Sequence, residues 1–201
     1  WDVPTGNGYK HRTGSINAYP SNLPFVEAGG YLERKAVSDL PMQGQRLFDP
    51  NAIDIDLAGD GSFYISFAIR LSGTDLDMTA MCGLRNSTSG DTVVAGAENG
   101  AWAISGVVGA ATGFNTSRDR TQFVIMRIDA SGLSDDFVWM KNYDNALEQV
   151  HASDTLLNGV GPGADQWDLV SSGADASGNF DQLFIRAGGN RAFFSNSHAM
   201  V

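Results

Sequence analysis

The chain has 201 residues, of which 42% are hydrophobic, 18% are charged and 24 are glycine. This composition is sufficient for one packed core and favours short strands joined by many turns, because glycine and Asx residues close turns readily. The formal net charge of −10 at pH 7 repels nucleic acid phosphates and anionic lipids, so we expect neither as a partner. We also expect no membrane insertion, because no apolar run reaches the about 20 residues that span a bilayer.

The N-terminal 45 residues are rich in turn formers, as in VPTGNGYKHRTG and NAYPSNLPF. Pro20 and Pro24 argue against regular strands there, because proline cannot donate a hydrogen bond to a sheet ladder. The sequence has no internal repeat and no low-complexity linker. We therefore predict a single domain over residues 1–201, with residues 1–45 as a turn-rich wrapping segment.

Period-two alternation of apolar residues begins after this segment. FYISFAIRL, residues 63–71, places five large apolar side chains on one face and mostly polar or small ones on the other, which predicts a half-buried antiparallel strand. FVIMRID, residues 123–129, is apolar on both faces, so we predict a strand that is covered on both sides. The connection DASGLS then predicts a hairpin to DDFVWMKN, with Asp129 and Asp135 serving the turn.

Seven further segments have the composition of strands: NAIDIDL, MTAMCGLR, DTVVAGA, AWAISGVV, QWDLVSS, FDQLFIRAG and the AFF stretch near the end. Turn signals separate them, and this spacing is typical of a β-sandwich rather than of βαβ units. Helical spacing is confined to NALEQVHASDTLLNG, residues 145–159, where we predict one or two turns.

The order of these patterns is itself informative. A Gly-rich N-terminal segment precedes GSFYISFAIRL, CGLRNSTSGDTVVAG with AWAISGVVG, FVIMRIDASGLSDDFVWMKN, the loop NGVGPGADQW, and FDQLFIRAGG. Over residues 28–201 this order resembles the LamG-like domains of the concanavalin A-like lectin/glucanase superfamily, as in secreted bacterial proteins. The resemblance implies an all-β fold, a jelly-roll sandwich of two antiparallel sheets. It also implies export from the cell and a role in glycan binding or adhesion.

The C-terminal end departs from this resemblance. Such domains usually close with a final strand similar to VDEIRIG, whereas this sequence ends at SNSHAMV. Two explanations stay open: the sequence is part of a longer chain, or another chain supplies the missing strand. The second explanation would leave an open sheet edge and favour assembly by strand addition.

The sequence contains no complete catalytic motif. Glycosidases of this superfamily place alternating carboxylates on one strand, and NAIDIDLAGDG matches this only superficially, because Asp54, Asp56 and Asp60 have the wrong final spacing. Asp60 and Gly61 indicate a turn before a strand instead. The lone Cys82 has apolar neighbours, which predicts a buried, unreactive thiol. The three histidines lie in unrelated contexts: His11, His151 and His198. We therefore expect that the protein is not an enzyme.

Calcium is the one cofactor that the sequence suggests, because hard cations take oxygen ligands from loop carboxylates. DASGNFD, residues 175–181, alternates such oxygens but lacks the glycine and glutamate of an EF-hand loop. A site of another kind, at the rim of the sandwich, would use Asp135, Asp136 and Asp144. The alternative is that these aspartates only form turns.

A sugar site needs an aromatic face for the apolar side of the ring and polar groups that fix its orientation. Alternation in DDFVWMKN places Trp139 with Phe137 and Lys141, and it leaves open whether Trp139 is a core residue or a ligand contact. Tyr143 follows this strand and is the better candidate for an exposed ring. The predicted ligand-binding residues are Trp102, Trp139, Asn142, Tyr143, Asp144, Trp167 and Arg186.

Two functional hypotheses follow. The first is an extracellular or cell-surface, non-catalytic domain of the adhesion type, which binds a polysaccharide, another glycan or another surface ligand at the rim or concave face of the sandwich. The second is a structural subunit of an extracellular filament or array, in which copies of the chain contact one another through sheet edges and the N-terminal segment.

Overall fold

The computed structural model describes residues 9–12, 31–34, 42–49, 55–72, 78–116, 121–132, 134–143, 167–188 and 191–200. Within these residues the chain forms strands and no helix, and so nothing described there is a helix that could cross a membrane. The strands, in chain order, are β1 (Tyr9–Arg12), β2 (Tyr31–Arg34), β3 (Met42–Leu47), β4 (Gly61–Ser72), β5 (Thr79–Arg85), β6 (Thr92–Glu98), β7 (Ala101–Gly106), β8 (Ala111–Asn115), β9 (Thr121–Ala130), β10 (Phe137–Tyr143), β11 (Leu169–Val170), β12 (Gln182–Gly188) and β13 (Arg191–Met200).

The strands form two antiparallel sheets. The seven-stranded sheet has the order β1-β2-β13-β4-β9-β10-β11, and the six-stranded sheet has the order β3-β12-β5-β6-β7-β8. The two sheets pack face to face and share one hydrophobic core. The predicted all-β sandwich of two antiparallel sheets is confirmed.

The core follows the alternation of the strands. In β4, Ile65, Phe67 and Leu71 are at most 1% exposed, and they pack in one cluster with Trp102 of β7, which is fully buried. Burial of each such side chain contributes about 1.5–3 kcal/mol. The apolar face predicted for FYISFAIRL is therefore the face that packs against the six-stranded sheet.

Both faces of β9 are buried over residues 122–126. Val124, Met126 and Ile128 belong to the core between the sheets. Phe123 and Ile125 alternate with them and so point to the opposite face, where they are only 7% and 0% exposed. The prediction that this strand is covered on both sides is confirmed for these residues, whereas Arg127 and Asp129 on the outer face are half-buried.

The predicted hairpin is formed by β9 and β10, which pair in continuous antiparallel register. Its connection is closed by Ser131 and Ser134, whose hydroxyl oxygens lie 2.8 Å apart. Asp135 lies in this connection and is exposed. Asp129, however, lies within β9 rather than in the turn, so its predicted role in turn geometry is wrong.

Parts of the N-terminal segment are strands of the sandwich. β1 and β2 extend the seven-stranded sheet, and β3 pairs with β12 at the edge of the six-stranded sheet. The expectation of a wrapping segment without regular strands over residues 1–45 is wrong for these stretches, because four-residue strands are too short to show a clear alternation. Pro20 and Pro24 lie outside the described residues, and the single domain over residues 1–201 stays a prediction.

The C-terminal stretch also differs from expectation. Residues 191–200 form β13, which is hydrogen-bonded to β4 on one side and to β2 on the other. The position of a final strand in this sheet is thus filled by the chain itself. Strand addition by another chain, at an edge of either sheet, stays a prediction.

Two further segments depart from the predicted strands. The described part of NAIDIDL, residues 55–57, makes only an isolated bridge between Asp56 and Asn179. The strand β8 has no clear alternation and was not predicted. The helical turns predicted for residues 145–159 lie outside the described residues.

Glycines allow close approach of backbones in the six-stranded sheet. Gly96 of β6 has a φ of +146°, and a Cβ atom there would lie 2.3 Å from the carbonyl oxygen of Ala80. Gly106 of β7 has a φ of +139°, and its Cβ would lie 2.0 Å from the carbonyl oxygen of Thr92. Only glycine fits such positions, which mark bends in the sheet.

We predict that Gly96→Ala destabilises the fold by about 1–3 kcal/mol, because the added methyl group overlaps the neighbouring strand. The free energy of unfolding in urea measures this loss. Gly59→Ala is the matched control, since its Cβ would lie 3.7 Å from the nearest atom. Equal unfolding midpoints for the two variants would contradict the close approach described at Gly96.

Cys82 of β5 is buried in the core, as predicted, and burial raises the pKa of its thiol from 9.0 to about 12, against the smaller lowering effect of a backbone hydrogen bond at Gly83. We predict that the folded protein does not react with a thiol reagent at pH 8 and that the denatured protein does. Because the folded pKa lies above the unfolded one, the contribution of this group to stability is complete below pH 9 and declines as the pH rises toward 12. Cys82→Ala removes that decline, and rapid labelling of the native protein would contradict the prediction.

Candidate functional site

Asp168 attaches the residues before β11 to the neighbouring strand β10. Its N–H donates to the carbonyl oxygen of Met140 at 3.0 Å. Its carboxylate accepts the backbone N–H of Asn142 at 2.7 Å and the Nζ of Lys141 at 3.0 Å. Three bonds to one short segment fix the adjacent Trp167 beside β10.

The attachment continues along β11. Ser171 N–H donates to the carbonyl oxygen of Val138 at 2.8 Å, and Val138 N–H donates to the Ser171 hydroxyl oxygen at 2.9 Å. Between these bonds, Val170 pairs with Trp139. The side chain of Trp139 therefore points away from the core on the same face as Val170, which is 42% exposed.

Three aromatic rings meet on this outer face, and we call them the aromatic platform. The ring centroids of Phe137 and Trp139 are 6.4 Å apart, and those of Trp139 and Trp167 are 6.3 Å apart with planes inclined at 48°. All three side chains are half-buried. The alternative that Trp139 is a core residue is wrong, because the core of β10 is formed by Val138 and Met140.

Charged pairs flank the platform. On one side Lys141 is paired with Asp168, and their side chains are 16% and 21% exposed. On the other side Arg127 donates to Asp129 at 2.6 Å, and their side chains are 30% and 27% exposed. Asp168 and Asp129 thus each have a cation beside them, and both members of each pair remain partly accessible to a ligand.

Among the predicted ligand-binding residues whose side chains the structure describes, Trp139 and Trp167 are the two that lie together. Trp102 is a fully buried core residue, so no sugar can stack on it, and that prediction is wrong. Asn142 alternates with the platform residues and is 3% exposed on the core side of β10. Tyr143 ends β10, but its side chain lies outside the described part of the structure, as does the whole of Asp144.

Arg186 lies in the other sheet. It stands on the outer face of β12, where its guanidinium binds the carboxylate of Glu98 and contacts the sulfur of Met81 at 3.0 Å. It therefore cannot act with the aromatic platform on one small ligand. On that face Arg186 borders a small buried cluster: Met81, Val94, Ala103 and Phe184.

Asp136 holds two loops together. Its carboxylate is fully buried and accepts the N–H groups of Ser131 at 2.7 Å and of Ala176 at 3.0 Å. Asp135 beside it is exposed. Among the residues that the structure describes, no group of three or more His, Cys, Asp or Glu is placed to hold a metal ion. The calcium site at Asp135, Asp136 and Asp144 stays a prediction.

The acidic residues near β4 have structural partners. Asp56 accepts the N–H of Ala58 at 3.0 Å in a local turn, and Asp60 accepts the N–H of Gly132 at 2.9 Å. β4 begins directly afterwards at Gly61, so the turn predicted at Asp60 and Gly61 is confirmed. Asp54 and His151 lie outside the described residues, and the side chains of His11 and His198 do as well.

Five residues around the platform, all in the described part of the structure, were not predicted as site residues: Tyr64, Arg127, Asp129, Lys141 and Asp168. The sequence contains signals for two of them, because Asp168 directly follows Trp167 and alternation places Lys141 on the same face as Trp139. The other three come from strands whose neighbours cannot be identified without the sheet order. The role of the two indoles in ligand binding stays a prediction, and the position of Arg127 and Tyr64 beside them follows only from the sheet pairing.

Comparison with known proteins supports the fold. No protein-family model matches the chain, and no curated protein matches it. Solved structures of similar fold include a sialidase, with a TM-score of 0.50 and 10% identity over 90% of this chain. A second is an endo-β-1,4-glucuronan lyase from Trichoderma reesei, with a TM-score of 0.49 and 8% identity over 98% of this chain and 91% of the lyase. A third is galectin LEC-6 from Caenorhabditis elegans, with a TM-score of 0.34 and 8% identity over 78% of this chain and 96% of the galectin.

This chain spans 16% of the length of the sialidase. At identities of 10% and below, such similarities concern the fold alone. The sheet topology, together with the similarity of fold to the sialidase, defines the class as an all-β jelly-roll sandwich of two antiparallel sheets.

We predict that Asp136→Ala destabilises the fold by about 2–4 kcal/mol, because two buried N–H groups lose their acceptor. Thermal and urea unfolding measure the loss. Asp135→Ala removes the same charge from the exposed neighbouring position and is expected to unfold like the wild type. A similar small effect of both substitutions would show that Asp136 does not hold the loops together.

Proposed function

We propose that this protein is a non-catalytic, LamG-like β-sandwich domain that binds a glycan on the aromatic platform. The observation that carries the proposal is the Trp139–Trp167 pair, with its ring centroids 6.3 Å apart. Packing holds both rings in place, and each keeps part of its surface accessible. An ordered aromatic surface loses little conformational entropy when a ligand binds.

The chemistry around the rings suits a sugar. The apolar side of a pyranose stacks on an indole, while its hydroxyl groups need donors and acceptors at the edge of the ring. Lys141 offers N–H donors and Asp168 offers carboxylate acceptors next to Trp167. The two indole planes are inclined at 48° and so present surfaces of different orientation. This arrangement favours binding of more than one sugar unit over binding of a single sugar.

The absence of catalysis is part of the proposal. A glycosidase needs two carboxyl groups facing each other across the scissile bond, one of which is protonated. In the described part of the site, Asp129 and Asp168 each lie beside a cation. Each of these two carboxylates is therefore engaged in an ion pair within the sheet.

The location and biological role belong to the same proposal. An acidic β-sandwich with a glycan-binding surface suits an extracellular or cell-surface domain of the adhesion type, with a polysaccharide or another glycan as partner. The alternative, a structural subunit of a filament or array, would use the edges of the two sheets, whereas β13 lies inside its sheet, between β2 and β4.

We predict that Trp167→Ala weakens glycan binding by about 2 kcal/mol, roughly 30-fold in Kd, as expected for truncation of a central aromatic contact. Trp167→Phe retains part of the affinity because it keeps a ring. Binding is measured by affinity electrophoresis in polysaccharide gels and by calorimetry with oligosaccharides of the polysaccharide that retards the protein.

Leu47→Ala is the control for this experiment. Leu47 is 56% exposed on the edge strand of the other sheet, so its truncation is expected to leave both stability and binding unchanged. Failure of every polysaccharide to retard the wild type, or unchanged binding by Trp167→Ala, would refute the proposed function.

A further inference from the structure

The aromatic platform continues into a row of residues that crosses the seven-stranded sheet. Trp139 pairs with Val170 on one side and with Arg127 on the other, and Arg127 pairs in turn with Tyr64. Directly paired residues of antiparallel strands point to the same face, so all four side chains lie on the outer face. With about 4.8 Å between strands, the row from Val170 to Tyr64 is about 14 Å long.

Contacts within the row keep its members in place. The guanidinium carbon of Arg127 lies 5.8 Å from the centroid of the Tyr64 ring, the geometry of a cation–π contact. Arg127 also binds Asp129, which accepts the hydroxyl group of Ser62 at 2.7 Å. The rings of Trp139 and Tyr64 thus lie on either side of Arg127, which its ion pair holds in place.

The row lies where the outer face becomes accessible. On the same face but further along the strands, Ile125 and Ala68 are at most 1% exposed. In the row itself Arg127, Tyr64 and Trp139 are half-buried, and beyond it Ser62 is exposed. The accessible residues therefore form a band across the strands, and the buried residues Ile125 and Ala68 lie along one side of this band.

We propose that this row, Trp139–Arg127–Tyr64, is a binding track that extends the aromatic platform across the sheet and takes several consecutive units of an uncharged glycan. The inference rests on the proposed function and adds to it the extent of the site and the class of glycan. Sugar rings stack on the indoles and on Tyr64, and Arg127 binds hydroxyl groups of the unit between them.

The charges select an uncharged chain. The two cations near the track, Arg127 and Lys141, are each neutralised by a carboxylate. Their Asp partners would repel a uronate or a sulfate ester, and the net charge of −10 adds a long-range repulsion of polyanions. A paired guanidinium and carboxylate still offer donors and acceptors, which suit neighbouring sugar hydroxyl groups.

The class of glycan is tested with the full chain on two groups of polysaccharides. The neutral group contains β-1,4-glucan, β-1,3-glucan, β-1,4-mannan and xylan, and the acidic group contains polyglucuronate, polygalacturonate and alginate. Binding is measured at ionic strengths of about 0.01 M and about 0.15 M, which change the range of charge repulsion from about 30 Å to about 8 Å.

Retention by neutral polysaccharides alone, at both ionic strengths, is the expected result. Preference for an acidic polysaccharide at either ionic strength overturns the inference and leaves the proposed function intact. Retention by no polysaccharide overturns both.

The extent of the track is tested with an oligosaccharide series prepared from the retained neutral polysaccharide. For the wild type, affinity should rise at least tenfold between the shortest oligomer that binds and an oligomer long enough to reach Tyr64. Tyr64→Ala and Arg127→Gln should abolish this gain. Trp167→Ala should weaken binding of every oligomer.

Two further variants separate ligand contacts from effects on folding. Tyr64→Phe keeps the ring and should restore the dependence on oligomer length. Arg85→Gln makes the same charge change as Arg127→Gln on the other sheet, where Arg85 binds Gln45, and should bind like the wild type. Affinity that is independent of oligomer length in the wild type, or a full gain in Tyr64→Ala, overturns the track.

Discussion

The register between β4 and β9 is the constraint on which the rest of the structure depends. Ten consecutive antiparallel pairs join these strands, from Gly61 with Ala130 to Arg70 with Thr121. A shift by one residue would move every side chain of a strand to the opposite face. The large apolar residues of β4 allow only the register in which they enter the core, and the same register aligns Tyr64 with Arg127 on the outer face.

The candidate site depends on a second constraint, the attachment of β11 to β10. β11 has only two residues, so its two ladder pairs contribute little alone. The bonds made by Asp168 and Ser171 add to them. They place Trp167 against Trp139, although long stretches of sequence separate the two residues. The hydrogen bonds of Asp168 and Ser171 thus position the two indoles, and the contact between the rings follows from them.

Much of the architecture could be predicted because period-two alternation is a local property. It identified β4, β9 and β10 and the buried environment of Cys82. The short strands β1, β2 and β8 escaped because four or five residues carry too little pattern. The AFF stretch predicted part of β13. The position of β13 beside β4 could not be predicted, because sheet order depends on long-range pairing.

The candidate site shows the same division. Trp139 and Trp167 were predicted from residue chemistry, whereas Trp102 has the same chemistry and lies in the core. Composition, alternation and turn signals by themselves determined an acidic all-β sandwich with a hairpin at residues 123–142, because these features depend on each residue and its near neighbours. Only the tertiary structure decided which tryptophans meet at the surface and which cations neutralise the nearby carboxylates, because strand order and register bring together residues that are distant in sequence.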